Sequence, residues 1–456
     1  MLHITDDFWI NNFDPKTINQ QNHNNNIKAL LMPHASLSYT SHLLSEIMTQ
    51  INFNNFTSVI IISTNHTDNN NYIPISDKAI YKTHTFGINS SNIKIYQNNV
   101  IKNDKPFMTE HSWKIIIPYL AHYNISTILP IIVGNNNLPI EIIDTNKTLI
   151  IGNTDLLHCG PNYKNTCSSP RQYDKETYNL IIRHLCYEDN INEIGNRSMC
   201  GKYAVILWLN LMRQYNLTYY KHFYDSTNGI NHVGYLGILC IKLSPLSLPR
   251  IALWYRLKLN SKIISQTNLC DIVDMHIPKK YTHCGIFVSI YKNSILRGCI
   301  GTYNLFGNTC NKIIETSYDS AFKDFRFNKI DKTELRELEY KVNFLTNFMT
   351  IYDDPDTKLN PYSAIKDKFI IGKHGIIIHF GNINKQATYL ANVMIDSFNM
   401  KLNNKLTFDE FIFIADSLAK KAHANTAKIT KIELYDCVEY DEYDEYNEYN
   451  EYDEYD

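Results

Sequence analysis

The chain has 456 residues, too many for one ordinary domain, and its 44% hydrophobic and 20% charged content is that of a globular protein with substantial cores. The net charge of −2 conceals an acidic end: residues 437–456 hold ten Asp and Glu and no Lys or Arg, which leaves residues 1–436 at about +8. No Lys/Arg block marks a nucleic-acid stripe, no apolar run approaches the roughly 18 residues of a membrane helix, and no basic-then-apolar leader opens the chain, so a cytoplasmic protein engaging neither nucleic acid nor membrane is expected.

In the first region the spacing predicts strands over 27–32, 58–63, 127–133, 147–152 and 235–242, and helices over 41–50, 112–122, 173–187 and 202–214. Near-continuous apolar runs such as Ser58-Val59-Ile60-Ile61-Ile62 are those of strands covered on both faces. Alternation with helices predicts an α/β domain over 1–244 with a mostly parallel sheet flanked by helices. Pro245 and Pro249 mark a linker over 245–250. A second domain over 251–436 is predicted as α+β with an antiparallel sheet. Its strands fall at 285–291 and 295–302, joined by a short polar turn, and around 341–347 and 369–380. Its helices fall around 311–323 and 407–422. The Glu/Tyr/Asp repeats of 437–456 predict a disordered acidic tail.

Three of the first-region strands end just before a histidine: Met32 before His34, Ile62 before His66, and Ile151 before Asp155 and His158. Ligands of parallel sheets bind beyond the carboxyl ends of strands, so these side chains are candidates for one pocket, together with Glu110, His111 and Cys200. Imidazoles and a thiolate suit iron, copper or zinc, whereas histidines satisfied in a core or at the surface are the simpler reading of spacing alone. Asp155 and His158, three apart, could act as an acid–base pair, or Asp155 could cap the following turn. Cys200 precedes the apolar helix of 202–214, where the helix dipole favours a thiolate; an inert buried Cys is the alternative. The ten cysteines include none before Cys159 and no CxxC pair, which argues against a disulfide framework or a zinc ribbon.

Six motifs in order resemble the Memo family, whose fold is similar to that of class III extradiol dioxygenases. They are Pro33-His34-Ala35, Asn65-His66-Thr67, Glu110-His111-Ser112 with Pro118-Tyr119-Leu120, Leu129-Pro130-Ile131-Ile132-Val133-Gly134, Asp155-Leu156-Leu157-His158-Cys159-Gly160 and Met199-Cys200-Gly201. The resemblance implies a metal-site trio at His34, His66 and Cys200, a catalytic pair at Asp155 and His158, and pocket-lining Glu110 and His111. Ser36-Leu37 and Ser63-Thr64 stand where that family has Gly-Tyr and Gly-Pro. The second region resembles the AMMECR-type domain through Leu296-Arg297-Gly298-Cys299-Ile300-Gly301-Thr302, Ala321-Phe322-Lys323-Asp324-Phe325-Arg326-Phe327 and Gly372-Lys373-His374-Gly375, with Lys341 in place of a usual Glu. Arg297, Cys299 and His374 could line an anion cleft that Gly298 and Gly301 let the backbone approach, or the glycines could serve a tight hairpin.

Together these resemblances imply a fusion protein that binds a divalent metal ion (Fe, Cu or Zn) and works as a dioxygenase-like oxidoreductase. The substrate is left open, as is any protein partner, and a functional link to a radical-SAM protein is implied by the family association. A non-catalytic metal-binding or interaction scaffold is the alternative, and an AMMECR-type half that handles a nucleotide or other anionic substrate is a third.

Overall fold

The computed structural model describes residues 1–456 apart from 6, 16–23, 97–98, 136–137, 187–190, 228, 259–268, 271–272, 274–276, 278–280, 282–283, 304–306, 355–359, 382–384, 426 and 442–456. The chain divides into two compact units, one built mainly on residues 1–251 and one on 273–441.

In the first unit, β1 (Ile27–Met32), β2 (Ser58–Thr64), β3 (Thr127–Val133) and β4 (Thr148–Asn153) lie in the order β3-β2-β4-β1, all parallel. Every residue of β2 and β4 is buried, as the apolar runs require of strands covered on both faces. The sheet is mixed, however, not mostly parallel. After Thr154, β5 (Asp155–Cys159) takes a place beside β7 (His232–Lys242), which runs antiparallel to β1 and β5 and pairs along its length with β6 (Leu217–Ser226). Short strands extend the other edge to a total of twelve. Helix α1 (Leu37–Met48) packs on β6 and β7, α2 (Pro170–Leu185) on β5, and α3 (Lys202–Gln214) on β2 and β4. Of the helix expected at 112–122, only Ile117–His122 forms.

The segment expected as a linker is not extended. A helix, Ser247–Lys258, begins inside it, and residues 245–250 are buried. Pro249 falls in its first turn, where the backbone N–H has no intrahelical partner to lose.

The second unit carries a six-stranded, wholly antiparallel sheet. Its strands are β8 (Gly285–Lys292), β9 (Ile295–Thr302), β10 (Leu338–Asp353), β11 (His374–Phe380), β12 (Lys385–Tyr389) and β13 (Ile429–Asp441), in the order β9-β8-β10-β13-β11-β12. Asn293 and Ser294 both have positive φ and form the two-residue turn of the predicted hairpin. Helix α4 (Thr309–Phe322) packs on β8 and β9, and α5 (Phe408–Lys421) on β11 and β12. Residues 437–441, expected as part of the disordered tail, complete β13 between β10 and β11. Glu439 there pairs with Lys341 across the ladder at 2.6 Å. The rest of the predicted tail, 442–456, lies outside the described residues.

Gly298 permits the closest helix–sheet approach in this unit, since a Cβ there would stand 2.0 Å from the Ser320 carbonyl oxygen. Gly298→Ala must therefore push α4 off the hairpin. The expected loss is about 1–3 kcal/mol, read as a lower urea midpoint for the second unit; an unchanged midpoint would show that the helix shifts without cost.

Candidate metal centre

The parallel strands end level: Asn153 pairs with Met32, and Gly152 with Ile62. His34, His66 and Asp155 each lie two residues beyond such an end, so the register alone gathers them at one rim. Cys200 arrives from the opposite direction, just before α3, whose entry is pressed against the same strands. A Cβ on Gly201 would meet Asn153 O and Thr64 Oγ1, both at 2.6 Å, and the Gly201 N–H bonds Thr154 Oγ1 at 3.0 Å.

Asn153 fixes the first imidazole. Its side chain meets the Ser112 carbonyl oxygen at 2.8 Å through one atom and the Thr64 N–H at 3.4 Å through the other. Because a carbonyl only accepts and an N–H only donates, the former is Nδ2 and the latter Oδ1. His34 Nδ1 lies 3.2 Å from that Oδ1 and must therefore carry the proton. His34 Nε2 is thus left with its lone pair, 3.1 Å from Cys200 Sγ. Glu110 does the same for His66, accepting from Nδ1 at 2.9 Å and from the His66 N–H at 3.0 Å. Burial alone would raise the Glu110 pKa, but these bonds and the Ser112 N–H outweigh it and bring the carboxyl to about 2. Burial first, then the neighbouring His66, lowers the His34 pKa, with Asp155 opposing.

The outcome is two imidazoles and a thiol gathered at one point: ligand atoms of His34, His66 and Cys200 lie within 4.8 Å of one another. Ligands around a tetrahedral zinc stand roughly 3.3–3.6 Å apart at ordinary bond lengths, so the donor set suits a divalent ion in residue type and would draw together from separations of up to 4.8 Å to hold it. Two further groups share its members, His66–Glu110–His111 and Asp155–His158–Cys200. The expected helix-dipole stabilisation of the Cys200 thiolate does not dominate. Burial, then the Asp155 charge, pushes the thiol well above its usual range. An ion must displace that proton to bind sulfur.

Asp155 is buried, with Oδ1 accepting from the N–H groups of His34 (2.9 Å) and Ala35 (3.3 Å), while Oδ2 faces His158 Nε2 at 3.8 Å and His34 Nε2 at 3.9 Å. His158 Nε2 is itself buried and hydrogen-bonded to nothing. Residues three apart on a regular strand face opposite ways. Here a β-bulge in β5, with Leu156 and Leu157 opposite Gly234, turns both side chains to the same side. His111 is neutral, with a pKa of about 3 set by burial and then by His34. It lies in a stack of rings between Trp9 (3.7 Å) and His66 (4.8 Å). Asn153, Trp9 and Tyr163, whose ring meets His158 at 4.9 Å, escaped the sequence reading. The Asn153 signal was available, as a polar residue closing an otherwise apolar strand; Trp9 and Tyr163 carried none.

The second-unit residues join none of these groups. Arg297 is held by Glu334 through two bonds of 3.0 Å and by the Asn328 carbonyl oxygen at 3.1 Å. The Cys299 backbone is clasped by Asp324 and Arg326, and its thiol accepts from Ser289. Gly301 has a Phe287 ring where its Cβ would be. His374 Nδ1 accepts the Ile370 N–H at 3.0 Å, closing a turn.

Asn153→Ala would leave the Ser112 carbonyl, the Thr64 N–H and His34 Nδ1 without their partner. Loss of such outer-shell support costs about 10–100-fold in metal affinity, measurable by competition with a chromogenic chelator. Unaltered affinity would remove Asn153 from the site.

The profile of the Memo-like protein family matches residues 4–238, and that of the AMMECR1 family residues 255–439. Among curated proteins, the chain is similar to the uncharacterized protein YOR289W of Saccharomyces cerevisiae (38% identity over 23% of this chain and 41% of that one). It is also similar to protein CA_C1420 of Clostridium acetobutylicum (31%, over 24% and 20%) and to a Methanosarcina acetivorans protein (33%, over 21% and 45%). The chain thus spans less than half the length of each of these relatives. A solved structure, the uncharacterized protein PH0010 of Pyrococcus horikoshii, matches at 20% identity with a TM-score of 0.32, over 43% of this chain and 87% of that one. With more than half of its length matched by the first profile, the chain belongs to the Memo-like proteins, fused to an AMMECR1 domain.

Proposed function

We propose that the Memo-like domain is a metal-dependent oxidoreductase, dioxygenase-like in architecture, acting on a small substrate. His34, His66 and Cys200 would hold a divalent ion, which when bound supplies Lewis-acid or one-electron chemistry. Two imidazoles and a thiolate form a softer set than the two-His-one-carboxylate set of non-haem oxygenases, which favours copper or zinc over iron.

The observation that carries this reading is the pair of imidazoles anchored through Nδ1. Asn153 and Glu110, both buried, engage Nδ1 of His34 and of His66, and the three candidate ligands gather within 4.8 Å of one another, with His34 Nε2 3.1 Å from Cys200 Sγ. His158 is the proton carrier: half-exposed, with Nε2 lacking a hydrogen bond and facing the Asp155 carboxylate at 3.8 Å. Asp155 has its pKa lowered, burial being outweighed by His34, His158 and the His34 N–H, so it serves as a fixed negative charge and not as the acid. The Trp9–His111–His66 stack holds the more exposed imidazole in orientation while leaving an approach for substrate.

Metal analysis of the purified full chain beside His34→Ala and Cys200→Ser tests the ligand set. The wild type is expected to hold a stoichiometric ion and both variants to lose it with unchanged circular dichroism. Sub-stoichiometric metal, the same in all three, would sink the reading. Oxygen uptake with catechol-like and thiol substrates then tests turnover: His158→Ala should keep the ion and lose uptake, and metal retention without uptake by any form would leave a binder and not an enzyme.

A further inference from the structure

We propose that Cys159 and Cys167 form a reversible thiol–disulfide site, exchanged by low-molecular-weight thiols of the glutathione type, which governs how the segment 160–166 covers His158. The sequence reading expected no disulfide framework, yet the structure joins these two sulfurs across eight residues. Cys159 directly follows His158 at the end of β5 and is buried; Cys167 is half-buried on the outer side of the loop.

Between them the chain has little else to hold it. All six residues from 161 to 166 are exposed, so the loop buries no apolar anchor of its own. Its other ties are hydrogen bonds, of which Tyr163 N–H to Gly160 O (3.0 Å) and Lys164 N–H to Pro161 O (3.3 Å) lie within the loop's own turn, and Gly160 N–H to Asn165 O (2.6 Å), Asn162 N–H to Asn231 Oδ1 (2.9 Å) and Asn165 Nδ2 to His158 O (3.4 Å) close and tether it. Segments with few buried contacts and exposed hydrogen bonds open at low cost. The disulfide is therefore the principal constraint that keeps Tyr163 edge-on against the His158 ring, 4.9 Å away. Gly160, at φ +123°, makes the turn possible, since a Cβ there would stand 2.4 Å from the Ile230 carbonyl oxygen. The ring is thus fastened at its root by a rigid, buried sulfur and at its far end by an approachable one.

The exchange balances without any group beyond the thiol. A glutathione-type thiolate attacks the Cys167 sulfur, the Cys159–Cys167 bond breaks, and Cys159 leaves as a thiolate and takes up a proton. A second thiol then resolves the mixed disulfide at Cys167, so two electrons reduce the pair and two thiols become one disulfide. Oxidation runs the same steps in reverse, with the small disulfide as oxidant. The regulatory consequence, exposing or covering the proton carrier, rests on the role proposed for His158; the redox site itself does not.

The full chain, freed of metal with chelator, would be equilibrated in glutathione buffers of graded ratio, quenched in acid, alkylated and mapped by peptide mass. Cys159 and Cys167 are expected to titrate together as a two-electron unit while buried Cys186 and Cys240 stay free thiols. In the oxidised state, amide exchange over 160–168 and diethyl pyrocarbonate labelling of His158 should both be about tenfold slower than in the reduced state. Cys167→Ser should behave as reduced in every buffer. Absence of the linkage in the most oxidising buffer, or equal exchange and labelling in the two states, would overturn the proposal. Because these readouts need no ion, a protein that binds no metal yet shows them would sink the metal reading alone.

Discussion

Four parallel strands end level, and the amide of Asn153 ties those ends together through Ser63 Oγ, Ser112 O, the Thr64 N–H and His34 Nδ1. This buried side chain uses each of its hydrogen-bonding groups on a different piece of the rim, so none can move without leaving a polar group unpaired. Its orientation is dictated by backbone partners of fixed polarity, and the His34 tautomer follows from that orientation. The geometry of the donor set is thus written into strand register and one amide. Glu110 repeats the device for His66 with a carboxylate in place of the amide.

How much of this the sequence disclosed depends on the range of the signal. Apolar runs such as Val59–Ile62 are local and showed β2 and its neighbours almost to the residue, since a strand buried on both faces has no other composition. The histidines just beyond these runs were legible for the same reason. The sheet's antiparallel margin was not. Leu217-Thr218-Tyr219-Tyr220-Lys221-His222 mixes polar and aromatic residues as a strand covered on one face does, and its pairing with β7 is a tertiary fact. Cys200 lies 45 residues beyond Asp155, and only the family resemblance connected them. The last strand was hidden by composition: Glu433 to Asp441 carries four acidic residues, yet Lys341, Lys431 and His379 stand opposite or beside them and make the strand tolerable.

In the AMMECR1 domain the most recognisable motif in the chain proves to be the least informative about chemistry. Gly298 and Gly301 are required by the Ser320 carbonyl and the Phe287 ring, and Gly375 by the Tyr435 ring. Arg297 and Arg326 are each spent on a carboxylate within the same fold, Glu334 and Asp324. Every one of these residues has a packing or pairing reason to be what it is. A motif that dense in steric constraint identifies the fold with great specificity for that very reason, and says little about a ligand.

The Asp155–His158 pair shows how far from the rim its geometry is set. Both side chains face the site only because β5 bulges, and a bulge leaves a backbone N–H without a ladder partner. Here that group is Leu157 N–H, and it is taken by Asp174 Oδ1 at 3.0 Å. The same carboxylate, fully buried on α2, accepts from His232 Nε2 at 2.6 Å and from Tyr224 OH at 2.9 Å. It can occupy that place only because Gly234, opposite the bulge, has no Cβ; one would stand 2.1 Å from Asp174 Oδ2. A buried carboxylate with fewer donors would be costly, and a bulge without an acceptor would straighten. Each therefore supports the other. A glycine in β7 and an aspartate on a helix behind the sheet together decide that His158 on the front face meets the Asp155 carboxylate. That dependence runs through the backbone, which is why neither residue announces it in the sequence.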